Sequence, residues 1–176
     1  MAIDYLKAVI SPPMNVSEAR GAGGWAGVEG RMGTALPNDY KEFIDAYGSG
    51  QIGGFIWVFN PFSINENLNL EKQAIRQATV LDELRSYGEV VPYESFPSVG
   101  GILPFGITDN GDVLFWQTGG NPNDWTVLVN EARSPEWEVF SSSLTRFLAE
   151  ILSRKVVCRA FPKKFPGPAV RFEESP

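Results

Sequence analysis

Asp109 and Asp112 flank Asn110-Gly111 within the stretch Gly100 to Thr118, and they form the one close pair of carboxylates beside the end of an expected strand. Two such groups can do general acid/base work when one holds a proton and the other is ionised, so a carboxylate-based hydrolase is one reading of the chain. The bland reading is turn chemistry, since aspartate is favoured beside Asn-Gly, and that is the commoner reason for the pattern. Other routes to catalysis are narrower. The chain has no histidine, which removes Ser-His-Asp triads, Cys-His pairs, His-ligated zinc and the commonest general base together. A single cysteine, Cys158, excludes an internal disulfide and any cysteine-rich metal site. It could act as a reactive thiol if its pKa were lowered, but a buried structural cysteine is the more frequent case. Gly21-Ala22-Gly23-Gly24-Trp25-Ala26 fits the dinucleotide-binding glycine pattern, yet no apolar strand precedes it, so the required strand-turn-helix context is missing. No catalytic residue, cofactor or metal ligand is therefore assigned.

Charge points toward a partner instead. Residues 1–153 carry nine basic and 19 acidic side chains, a net −10, whereas residues 154–176 carry six basic and two acidic, a net +4. An acidic body repels nucleic acid and favours a basic partner, although plain solubility is the more frequent cause of acidity. With 176 residues, 43% of them apolar and 20% charged, the chain suits one domain with an ordinary core. No run approaches the ~20 apolar residues of a membrane helix, and the opening Met1-Ala2-Ile3-Asp4-Tyr5 has no basic leader, so a cytoplasmic protein without membrane contact is expected.

The elements that would position these groups follow from periodicity and punctuation. Asn110-Gly111 predicts a type I′ hairpin turn between the runs Ile102 to Thr108 and Val113 to Thr118. In the second run Val113 and Phe115 alternate with Leu114 and Trp116, which predicts an inner strand covered on both faces, and Pro104 is expected at a strand start or a bulge. Met1 to Ile10 reads as a short helix, and Gly21 to Gly33, with six glycines in thirteen residues, reads as a loop anchored by Trp25. Pro37 and Asp39 open a helix with Tyr40, Phe43, Ile44 and Tyr47 on one face, ended by Gly48 and Gly50. Phe55 to Phe59 is the next strand. Ser63 and Glu66 suggest a capping box that starts a helix through Tyr87. Trp125 to Val129 extends the meander, Pro135 to Phe140 gives an edge strand, and Ser141 to Ser143 caps a helix with Leu144, Phe147, Leu148, Ile151 and Leu152 in register. Val156 to Phe161 suggests a last strand. The expected architecture is α+β: a single domain over residues 1–161, an antiparallel meander packed with helices, followed by a proline-rich basic tail at 162–176.

Three blocks resemble the SUKH superfamily, which includes fungal cell-wall assembly regulators and many bacterial toxin-immunity proteins. They are L-P-x-D-Y-x-x-F-x-x-x-Y-G-x-G at Leu36 to Gly50, the Leu103-Pro104-Phe105 to Trp116 hairpin, and W-E-V-F-S-S-S-L-T-R-F-L at Trp137 to Leu148, and the resemblance they carry runs over residues 36–152. The resemblance implies a single α+β domain that acts by binding protein, often a cognate toxin such as a nuclease or deaminase, and it carries no catalytic residue onto this chain. A regulatory scaffold of the fungal kind is the alternative. Many toxin domains attack nucleic acid and need cationic clefts, so the residues expected to meet the partner are exposed carboxylates at the hairpin and beyond: Asp109, Asp112, Asp124, Glu131 and Glu136. The Gly21 to Gly33 segment and the basic tail depart from the family pattern.

Overall fold

The computed structural model describes residues 1–176. Its centre is the hairpin of β3 (Ile102–Thr108) and β4 (Val113–Gln117). The turn between them differs from the one predicted. Gly111 takes φ of 92° while Asn110 keeps a negative φ, and the Gly111 amide bonds back to the Thr108 carbonyl at 2.9 Å. This is a three-residue loop, a tight turn followed by one left-handed glycine, so only Gly111 needs the conformation that glycine adopts without steric cost. The register shifts between Pro104 and Gly106, placing Pro104 at a bulge where its missing amide breaks no ladder.

Around this hairpin runs a seven-stranded sheet in the order β6-β5-β4-β3-β2-β1-β7. The remaining strands are β1 (Gly50–Ile52), β2 (Ile56–Val58), β5 (Thr126–Asn130), β6 (Trp137–Phe140) and β7 (Phe172–Glu174), and every neighbouring pair is antiparallel. The fold is α+β. No helix in it is long and apolar enough to cross a membrane.

One face of the sheet is covered by α1 (Ala2–Val9), α3 (Asn38–Tyr47) and α5 (Leu144–Leu152), which bury Leu6, Tyr40, Phe43, Phe147 and Leu148 against Leu114, Trp116, Val127 and Val129. Trp116 is fully buried and meets Tyr40 edge-on at 4.9 Å. Ser143 stands at the start of α5 but makes no capping bond with its side chain; Asp39, on α3, accepts the Thr145 amide at 2.9 Å and the Thr145 hydroxyl at 2.8 Å in its place. One carboxylate thereby caps α5 and fixes it to the first turn of α3.

The other face is covered by α4 (Leu70–Ser86), whose Leu81 packs on Ile102, Val113, Phe115 and Leu128. This helix starts later than a cap at Ser63 would place it, and Asn69 is the capping residue, accepting the Lys72 amide at 3.1 Å. The reason is local. The Ser63 hydroxyl takes the Asn65 amide at 3.2 Å and the Asn65 side chain takes the Asn67 amide at 3.0 Å, so successive side chains hold the backbone in turns and out of the helix.

Two further segments depart from expectation. Gly24–Met32 is a helix, α2, in place of a loop; Gly23 and Gly33 at its ends have φ of 80° and 71°, and burial of Val28 with Trp25 set edge-on to Tyr40 and Phe62 offsets its poor intrinsic propensity. Val156 to Phe161 is irregular, and the last strand lies at Phe172–Glu174, paired with β1 at the sheet edge. There Phe172 packs against Phe43 and Tyr47, and Phe165 against Phe55.

Candidate partner-binding surface

The β3–β4 turn and the β5–β6 turn lie at the same end of the sheet, because Val113 is opposite Asn130 and Asn130 is opposite Trp137. Four of the five selected carboxylates gather at this end. Asp109 is exposed but engaged, accepting Gln51 Nε2 at 2.9 Å and Trp57 Nε1 at 2.9 Å, which ties the hairpin turn to β1 and β2. Asp112 is not an exposed loop carboxylate: it is 2% exposed, accepts the Thr108 hydroxyl at 2.6 Å and the Ala132 amide at 2.9 Å, and so joins one turn to the other. Its burial follows from this work, since a carboxylate taken out of water must have its oxygens bonded. The two aspartates are drawn to opposite sides of the hairpin by different partners.

Glu131 and Glu136 are the free carboxylates of the group. Their backbones meet, Glu131 amide to Glu136 carbonyl at 3.1 Å, while neither side chain makes a hydrogen bond or ion pair. They stand with Glu138 and Arg159 around an open cavity of about 270 Å³ beside β6. Glu138 accepts the Arg159 amide at 2.9 Å, and the Arg159 guanidinium lies 3.6 Å away, largely in solvent. Glu131 is shared with a second groove of about 310 Å³ on the α4 side, floored by Val113 and Phe115 and walled by Leu81 and Leu84. Asp124 falls elsewhere. It sits in a 3-10 turn, Pro122–Asp124, at the opposite end of β5, one five-residue strand or ~17 Å from Glu131.

No group of three or more histidine, cysteine, aspartate or glutamate side chains is placed to hold a metal ion. Burial pushes the Cys158 thiol up to about 12, the opposite of what a nucleophilic thiolate requires. Glu138 and Arg159 were not among the selected residues. Strand alternation in Trp137 to Phe140 was the available signal for Glu138, placing it across the strand from Trp137; Arg159 is brought there only by the turn after α5.

A seven-stranded antiparallel sheet with helices on both faces makes this an α+β domain. The SUKH-6 family model, described as SMI1-KNR4 cell-wall, matches residues 24–148, well over half the chain, and the chain belongs to that family; the match takes in Gly24 to Gly33, so these residues, expected to depart from the family pattern, do not. No curated protein and no solved structure matches it.

Proposed function

We propose that this protein is a non-enzymatic binding module that neutralises a cognate protein toxin, an immunity protein whose acidic sheet end occupies a basic surface of the toxin. The observation that supports this reading is that Glu131 and Glu136 stand unpaired around a cavity that Glu138 also lines, on a protein of net −6. Unpaired carboxylates retain their hydration and field, so they speed encounter with a cationic cleft and impose salt dependence. Asp109 adds to the field at this end, Asp112 holds the two turns together from inside, and Asp124, at the opposite end of β5, lies outside the cavity.

The test uses the toxin encoded by the adjacent gene, titrated calorimetrically at low and high salt against the wild type, Glu131→Lys/Glu136→Lys and Asp124→Lys. The double variant is expected to lose on the order of 100-fold in affinity at low salt, and Asp124→Lys less than about threefold. Unchanged binding by the double variant removes this end of the sheet, and salt-independent wild-type binding replaces it with an apolar interface. The family description favours one second reading, a regulatory scaffold of cell-wall assembly. Failure of the protein to protect cells producing the toxin would select it. A hydrolytic activity of the purified protein that Asp112→Asn abolishes would displace both.

A further inference from the structure

The sheet has two edges, and they end differently. On one side β7 covers β1, and it is a strand of three residues preceded by Pro166 and Pro168 and flanked by the Arg171–Glu173 ion pair. On the other side lies β6, Trp-Glu-Val-Phe, with no proline and no lysine along it. The register fixes which of its backbone groups are spoken for. The Glu131 amide donates a ladder-type bond to the Glu136 carbonyl, and Val129 opposite Glu138 and Val127 opposite Phe140 continue that phase two residues at a time. Trp137 and Val139 are the alternate residues, so their amides and carbonyls point away from β5, and nothing in the chain bonds to them. Val139 is 54% exposed. Natural sheets blunt such an edge with charge, proline or a covering loop; β6 is short, carries Glu138 and follows Pro135, but none of these bonds its outward amides and carbonyls, and the cavity of Glu131, Glu136, Glu138 and Arg159 lies beside it.

We propose that the free edge of β6 takes up an extended, lysine- or arginine-bearing segment of the partner by strand addition, with one of its basic side chains seated among Glu131, Glu136 and Glu138. This rests on the binding-module reading above and specifies how the acidic end engages. Strand addition draws affinity from main-chain bonds and specificity from alternate side chains, and here the main-chain groups belong to Trp137 and Val139 while the pocket for an alternate side chain carries three carboxylates against one guanidinium. Charge chooses the occupant. A second copy of this chain paired along β6 would bring Glu136 and Glu138 of one molecule against those of the other, an unfavourable like-charge contact.

The probe is a synthetic six-residue peptide of alternating lysine and valine, compared with one of alternating glutamate and valine. Amide hydrogen exchange on the intact protein is expected to show new protection at Trp137 and Val139 with the basic peptide alone. Val139→Pro removes an outward amide that the fold does not use, so it should keep the wild-type melting behaviour and weaken peptide binding at least about tenfold; Val139→Lys, a charge placed on the edge, serves if the proline variant does not fold. Peptide binding undiminished in both variants, or absence of protection at these two amides, overturns the proposal, as does protection of the same amides that rises with protein concentration in the absence of peptide. The toxin titration separates strand addition from toxin neutralisation. If Glu131→Lys/Glu136→Lys loses the toxin while Val139→Pro retains it, the acidic end binds through side chains and strand addition falls; if the peptide adds to β6 but the toxin does not bind, strand addition stands and the immunity reading falls.

Discussion

On β4, Leu114 and Trp116 look into a cluster of 31 buried apolar residues, while Val113 and Phe115, one step along the same strand, look into a cluster of five. The first is closed by α1, α2, α3, α5, the first turn of α4 and the C-terminal segment, the second by the later half of α4 and the loop that follows it. Both keep their strand residues dry, so adjacent side chains of one strand are equally buried for unequal reasons. What differs is redundancy. A residue of the larger cluster is held by neighbours from several elements, whereas the smaller cluster depends on Leu81 and Leu84, with Tyr93 and Trp137 at its margin. Where the thinner cover stops short of the β3–β4 and β5–β6 turns, the sheet end is open, and that is where the unpaired carboxylates and the free strand edge lie.

The comparison predicts a ranking of truncations. Trp116→Ala should cost ~3–5 kcal/mol, because Tyr40, Phe105 and Trp125 around it belong to different elements and cannot collapse together into the gap. Its indole N–H has no hydrogen-bond partner, so Trp116→Phe, which removes that donor with the missing ring, should cost clearly less than the alanine change. Urea unfolding measures both. An alanine variant as stable as the wild type would mean that the larger cluster is not the one holding the strand.

Leu81→Ala is expected to cost ~2–3 kcal/mol, near the low end for a leucine, because α4 lies at the surface and can settle toward the sheet or admit water from the adjoining groove. The same change should raise hydrogen exchange at Ile102, Val113 and Phe115 and leave the amides of α3 and α5 protected. A Leu81→Ala loss larger than that of Trp116→Ala would reverse the order of the two faces.

The larger face was the more legible in sequence, and the cause is physical. The helices that close it, α3 and α5, bury one face each and therefore show apolar residues at helical spacing; β4 is buried on both faces and reads as an unbroken apolar run. Helix α2 was missed because its glycines argue against a helix and only contacts distant in sequence, Trp25 with Tyr40 and Phe62, outweigh them. The start of α4 was misplaced because Ser63 and Glu66 have the spacing of a capping box, while the side chains of Ser63, Asn65 and Asn69 bond the backbone around them in a way that spacing alone does not reveal. β7 is three residues long and owes its pairing to Phe172 against Tyr47, so no local pattern announced it. At the candidate surface, residue type located the acidic end, but not which carboxylates were committed: burial of Asp112 depends on the Ala132 amide, 20 positions away.

The smallest effect at neutral pH, and the sharpest for the comparison, concerns Cys158. Burial raises three groups, Tyr40, Tyr47 and Cys158, and all three belong to the larger cluster. For the thiol, burial is the leading cause and the neighbouring Glu138 adds to it, outweighing the amides of Ala160 and Phe161, with the result that it is pushed up to about 12 from the ordinary 9.0. A group whose folded pKa lies above its unfolded one stabilises fully below the unfolded value and ceases to do so as pH rises to the folded value. Stability should therefore hold to about pH 9 and then fall as the unfolded chain, but not the folded one, releases protons from the thiol and the two phenols. Cys158→Ala, which at pH 7 should cost only about 1 kcal/mol for the lost contact, removes one of the three proton releases and should make the decline between pH 9 and 12 shallower. Leu81→Ala removes none, and it should lower stability by the same amount at every pH. Parallel urea titrations at pH 7, 9 and 10.5 decide between them: a Leu81→Ala curve that flattens with pH, or a Cys158→Ala curve that does not, would mean that the alkaline loss does not arise from the larger cluster.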